Sequence, residues 1–140
     1  MNLIEKFENC TLPKEEWTHT NHFVMALWYC MHYPLPVAIQ KISGGIKKYN
    51  ESVGGQNTDE SGYHETITLF YTSKIADYII TNRITTLTEP VLTTFLQQPF
   101  LKKEYLFQFY SQECLMSKAA RLHWKAPDLP LTSQTGSPPY

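Results

Sequence analysis

The stretch KEEWTHTNHFVMALWYCMHY, residues 14–33, decides the fold class. Its apolar run, residues 23–31, is shorter than the roughly 18 apolar residues that a membrane span needs. Thr11 can cap a helix just upstream, and Pro34 is expected to end it. We therefore predict a helix that begins within residues 11–17 and ends at about Tyr33.

The rest of the chain carries the same helical signal. Apolar residues recur at three- and four-residue spacing, and no run of strict alternation is long enough for a convincing strand. Gly44 and Gly45 interrupt one segment, and either weaken that helix or let a neighbour pack closely. The sequence predicts an all-α fold, a single compact domain of five or six helices over residues 1–125. Besides the helix described above, the predicted segments are 3–9, 37–53, 62–82, 89–98 and 100–120.

The last residues have a different composition. Residues 126–140 are rich in proline and cannot form a long helix. We predict an irregular C-terminal tail that either lies against the helical domain or is mobile.

Composition excludes several classes of function. The chain has 140 residues, is 42% hydrophobic and has a formal net charge of −1. A dedicated nucleic-acid binder is usually visibly basic, and no polybasic segment is present to anchor the chain to a membrane. The N-terminus does not resemble a secretory signal, and the three scattered cysteines read as free thiols. We predict a cytoplasmic protein.

The helix that contains residues 14–33 carries two histidines on its apolar face. At 100° per residue, His19 shares a side with Phe23, and Glu15 and His22 flank it at i,i+4 and i,i+3 spacing. Trp17 falls on the opposite face with other large apolar residues. A helix that is apolar nearly all round is either central or one half of a dimer contact. A homodimer is therefore compatible with the sequence.

A second helix start carries another histidine. His64 lies on the apolar face of the predicted helix over residues 62–82, in its first turn, where the helix dipole disfavours a protonated imidazole. Neutral imidazole is the form that binds metal. We predict a shared divalent metal, whether zinc, iron, nickel or manganese. The predicted ligands are His19, His22, His64 and Glu15.

Neighbouring residues suggest roles beside the metal. Glu65 would act as a general base on a metal-bound water or on a substrate proton. Arg121 would bind an anionic substrate group, with a surface salt bridge as the alternative. Tyr63, Thr68 and Tyr71 would border the substrate pocket, with core packing as the alternative for the tyrosines.

Two other interpretations of the histidines remain open. The first is a polar pocket that binds a small molecule without metal. The second is a purely structural role, in which His64 caps its helix, His19 bonds Glu15 or a backbone group, and His22 is partly exposed.

The motifs WTHTNHF, YNES, SGYHET and ARLHWKAPDL resemble those of a family of small uncharacterised bacterial proteins. The resemblance covers residues 17 to about 129, and it implies a compact helical domain and a bacterial source without an established activity. The matching positions are Trp17, His19, His22, Tyr49, Asn50, Gly62, Tyr63, His64, Glu65, Thr66, Arg121 and Asp128.

The function that the sequence favours is a small metal-binding enzyme, a hydrolase or lyase that acts on a small polar molecule. Non-haem iron chemistry is also compatible with two histidines and a carboxylate. The alternative is a non-catalytic module that binds a small ligand or another protein and has structural histidines.

Overall fold

A computed structural model describes residues 3–130, and within that range every regular element is helical. This confirms the predicted all-α class. Four of the eight α-helices have eight or more residues, so more and shorter helices are present than the five or six predicted. The helices are α1 Leu3–Glu8, α2 His19–His32, α3 Leu35–Ser52, α4 Glu65–Thr81, α5 Glu89–Leu96, α6 Lys103–Leu106, α7 Gln112–Leu115 and α8 Lys118–Leu122.

The start of α2 differs from the prediction. Lys14–Glu16 form a separate 3₁₀ turn, and α2 begins only at His19. The Thr18 side chain accepts the Asn21 backbone N–H at 3.2 Å, and the Asn21 amide donates to the Glu16 carbonyl at 2.7 Å. These side-chain bonds satisfy backbone groups that a continuous helix would satisfy itself, so the chain breaks here.

This break overturns the helical geometry predicted for Glu15. The i,i+4 relation between Glu15 and His19 requires one continuous helix, and the two residues lie on either side of the break. Glu15 is exposed in the 3₁₀ turn. The assignment of Trp17 to the far face of α2 is also wrong, because Trp17 precedes the helix.

The predicted long helix over residues 100–120 is also wrong. Pro99–Leu101 form a 3₁₀ turn, and three short helices, α6 to α8, follow it. Ser111 and Ser117 each accept a backbone N–H three residues later and so cap a new helix. The apolar stripe that suggested one helix instead supplies a compact cluster of short turns.

The core has two parts that α4 joins. The larger part lies where α1, α2, α3 and α4 pack together, and Phe7, Leu27 and Tyr49 are fully or almost fully buried in it. The smaller part includes Phe70 of α4 and Tyr110, which follows α6. The first half of α4, with Ile67 and Phe70, packs in the smaller part, and its second half, with Ile75, packs in the larger part.

Gly45 explains how α1 packs so closely on α3. A Cβ atom at this position would lie 2.6 Å from Cε2 of Phe7, a distance that packed side chains do not adopt. Phe7 is 1% exposed and packs against Trp17 and Tyr49. Of the two alternatives for the glycine pair, close packing therefore applies to Gly45.

The first residues of the predicted tail lie against the helical body. The Leu129 backbone N–H donates to the Phe109 carbonyl, and Asp128 accepts hydrogen bonds from the backbone and hydroxyl of Ser111. These two bonds lower the pKa of the Asp128 carboxyl. The remainder of the predicted tail, residues 131–140, lies outside the described residues.

Across residues 3–130, none of the helices combines the length and the apolar character that crossing a membrane requires.

Candidate functional site

A cavity of about 960 Å³ lies between α2, α3, α4 and the segment from Leu101 to Leu106. Most of its wall is apolar, and the apolar side chains come from all of these elements. The main apolar lining residues are Phe23, Met25, Ala26, Ile42, Ile46, Val53, Ile67, Leu101 and Leu106.

Six of the nine predicted site residues line this cavity. His19 and His22 lie in the first turn of α2, while Tyr63, His64, Thr68 and Tyr71 come from the start of α4 and the residues just before it. Phe23 and Tyr71 bring the two helices together, with ring centroids 5.1 Å apart in an edge-to-face arrangement. Segments distant in sequence therefore contribute polar side chains to one cavity.

The other three predicted site residues are not part of the cavity wall. Glu15 is exposed, and Arg121 donates from Nη1 to the Gly62 carbonyl at 2.8 Å, so it holds the loop before α4. Glu65 accepts a hydrogen bond of 2.7 Å from the Tyr63 hydroxyl.

His64 caps α4, as the structural interpretation expects. Its Nδ1 accepts the Ile67 backbone N–H at 3.2 Å, and its Nε2 lies 2.8 Å from the Leu115 carbonyl oxygen. A carbonyl accepts only, so Nε2 carries the proton and both ring nitrogens have protein partners. Burial, the largest effect, lowers the pKa of this imidazole, and the Leu115 carbonyl partly offsets it. This arrangement leaves His64 without a lone pair for a metal ion.

His22 is held differently, and one of its nitrogens stays available. Its Nδ1 lies 2.8 Å from the Thr18 carbonyl oxygen, so Nδ1 carries the proton and Nε2 has the lone pair. The ring stacks on Trp17 with centroids 3.7 Å apart. Burial is the main cause that lowers the pKa of His22, and repulsion from a protonated His19 adds to it. His22 is therefore neutral at neutral pH.

The predicted metal ligands do not converge on one point. Among residues 3–130, no group of three or more His, Cys, Asp or Glu side chains is arranged to hold a metal ion. His19 and His22 are neighbours, with ring centroids 6.1 Å apart, but both ring nitrogens of His64 have protein partners. A structural or catalytic zinc site normally has at least three protein ligands.

The hydroxyl groups of the tyrosines in the cavity wall each donate a hydrogen bond to another protein atom. Tyr49 donates to the Leu12 carbonyl, Tyr63 to Glu65, and Tyr71 to the Lys102 carbonyl at 3.3 Å. Burial raises the pKa of each phenol, for Tyr71 to about 12. None of the three is a candidate for a phenolate at neutral pH.

Trp17 and Phe23 are lining residues that the sequence did not assign to the site. Trp17 stacks on Phe7 as well as on His22, so it connects the core to the cavity. Taking Thr18 instead of Thr11 as the helix cap would have placed Trp17 before α2.

Comparison with known proteins assigns neither a family nor a function to this chain. The sequence matches no protein-family model, no curated protein and no solved structure.

Proposed function

We propose that this protein binds a small, largely apolar organic molecule in the cavity between α2, α3 and α4. The observation that carries the proposal is the cavity itself. Its volume, about 960 Å³, lies within the range of about 300–1,000 Å³ that is typical of small-molecule sites. Its apolar walls and few converging polar groups are also typical of such sites.

The aromatic wall gives the ligand a preferred shape. Trp17, Phe23 and Tyr71 are among the lining residues, which favours a ligand with an aromatic or flat apolar part. Removing apolar surface from water stabilises the complex by about 25 cal/mol per Å² before the costs of association are subtracted.

A fluorescent cavity probe tests the proposal. N-phenyl-1-naphthylamine is uncharged and becomes brightly fluorescent in an apolar site. We expect saturable binding of one probe per chain, with a blue-shifted emission. Emission that never saturates, or that equals the emission in buffer, would overturn the proposal.

Two matched variants of α4 locate the binding site. Thr68→Phe places a larger side chain in the cavity wall, and Ser73→Phe makes a similar change at a half-buried position outside it. We expect Thr68→Phe to weaken probe binding at least about tenfold and Ser73→Phe to leave it unchanged. Circular dichroism of both variants confirms that they are folded.

The metal-dependent hydrolase or lyase predicted from the sequence is the second candidate function. The observation that favours it is the bond from His22 Nδ1 to the Thr18 carbonyl, because metal-binding histidines usually donate their other N–H in this way. His19 would be the second ligand, and a substrate or water would have to complete the coordination. Metal analysis separates this candidate from the first.

The cellular setting completes the proposal. We propose a cytoplasmic protein that acts on a small molecule, with a homodimer compatible with either candidate function. The formal net charge of −1 supports a partner other than nucleic acid.

A further inference from the structure

The chemical class of the ligand follows from which polar atoms in the cavity lack a partner. His22 Nε2 is such an atom. The bond from Nδ1 to Thr18 fixes the tautomer, and no hydrogen bond to Nε2 is present within residues 3–130. Nε2 is therefore a solvent-accessible acceptor to which a ligand can donate a hydrogen bond.

The ring that carries this acceptor is fixed in place. It is held at one edge by the 2.8 Å bond to the Thr18 carbonyl and on one face by Trp17, with an interplanar angle of 28°. A fixed acceptor selects ligands by geometry, because it cannot rotate to find another partner.

No polar side chain within residues 3–130 donates a hydrogen bond to Nε2, and the lining tyrosines and His64 donate theirs elsewhere. The hydroxyl groups of Tyr49, Tyr63 and Tyr71 all donate hydrogen bonds to other oxygen atoms. The N–H of His64 donates a hydrogen bond to the Leu115 carbonyl. The lining tyrosines thus offer lone pairs, as His22 does.

We propose that the ligand of this cavity is an apolar aromatic compound that carries a hydroxyl or N–H group, which donates a hydrogen bond to Nε2 of His22. This inference rests on the proposed function, since it names the class of molecule that the cavity binds. His22 is then the specificity-determining residue of the site. A ligand without the donor would leave Nε2 desolvated and unpaired, and such a ligand should bind more weakly.

The test compares two compounds that differ in the donor. 4-Butylphenol has a hydroxyl proton, and 4-butylanisole has a methyl group in its place. Each is used to displace bound N-phenyl-1-naphthylamine from the full chain. We expect the wild-type protein to bind the phenol about tenfold more tightly than the anisole.

A matched pair of histidine variants assigns the preference to His22. His22→Phe keeps an aromatic ring against Trp17 but removes the acceptor, so the preference for the phenol should disappear. His32→Phe is the control. His32 also bonds the carbonyl four residues before it and stacks on a tryptophan, with centroids 4.0 Å apart, but it is exposed and does not line the cavity. We expect His32→Phe to keep the wild-type preference.

The outcomes distinguish failure of the donor assignment from failure of cavity binding itself. Equal displacement by the phenol and the anisole in the wild-type protein, or a preference that survives in His22→Phe, would overturn the assignment of the donor while leaving cavity binding intact. Failure of the wild-type chain to bind the naphthylamine probe would overturn the proposed function and this inference together.

Discussion

The imidazole of His64 and the carbonyl of Leu115 form a 2.8 Å hydrogen bond across 51 residues of sequence. Through this bond the start of α4 is fastened to the smaller part of the core, where Leu115 is buried. The same ring caps α4 with its other nitrogen. One side chain therefore holds both the helix start and the cavity wall beside it.

This double role predicts graded losses of stability at position 64. His64→Asn keeps a side-chain acceptor for the cap but does not reach Leu115, so we expect a loss of about 1–3 kcal/mol. His64→Ala removes the cap as well, and about 1 kcal/mol more should be lost. Urea denaturation measures both values. Equal stability of the two variants would show that the cap contributes nothing.

Helix positions could be predicted where spacing and local signals agree. α3, α4 and α5 begin and end within a few residues of the predicted bounds, because apolar spacing and terminal signals such as Thr88 indicate the same limits. The start of α2 was missed because Thr11 and Thr18 both have the chemistry of a cap, and the bond from Asn21 to Glu16 decides between them.

For the candidate site, the sequence predicted the residues but not the hydrogen bonds that their side chains make. The sequence placed His19, His22 and His64 on apolar helix faces. All three line one cavity, but only His64 is buried, and His19 is exposed. The direction of each ring nitrogen depends on partners that packing supplies, such as the Leu115 carbonyl. A helical wheel places a residue on a face, but it does not show which atoms already have hydrogen bonds.

The two adjacent glycines of α3 should respond in opposite ways to the same substitution. A Cβ at Gly44 meets nothing within 4 Å, so Gly44→Ala should stabilise the protein by about 0.5–1 kcal/mol through helix propensity. A Cβ at Gly45 would collide with Phe7, so Gly45→Ala should destabilise it by about 1–3 kcal/mol. Thermal and urea unfolding of both variants provide the measurement. A stabilised Gly45→Ala variant would contradict the packing of Phe7 on this helix.

Metal content distinguishes the two candidate functions. Because no third ligand among residues 3–130 joins His19 and His22, we expect untagged protein to contain far less than one divalent metal ion per chain. A chelator should then leave the melting temperature unchanged. Near-stoichiometric metal that is lost in both His19→Ala and His22→Ala would instead support the enzyme. Additional loss in His64→Asn would identify His64 as a third ligand.

Buried His64 and half-buried His22 predict how stability depends on pH. Burial lowers the pKa of His22 and of His64 below the ordinary value of 6.5, so the unfolded chain binds protons at a higher pH than the folded chain does. Unfolding then takes up protons, and stability decreases as the pH falls below about 6.5. The decrease from these groups stops once the pH is below their folded-state pKa values, while above 6.5 their contribution is fully present.

Urea denaturation between pH 8 and pH 5 measures this dependence. We expect the free energy of unfolding to fall with decreasing pH in the wild-type protein, and to fall less steeply in His64→Asn and in His22→Phe. The double variant should show the flattest profile, because neither remaining side chain can take up a proton on unfolding. An unchanged slope in the double variant would mean that other groups cause the acid sensitivity, and that the two imidazoles are as readily protonated in the folded chain as in the unfolded one.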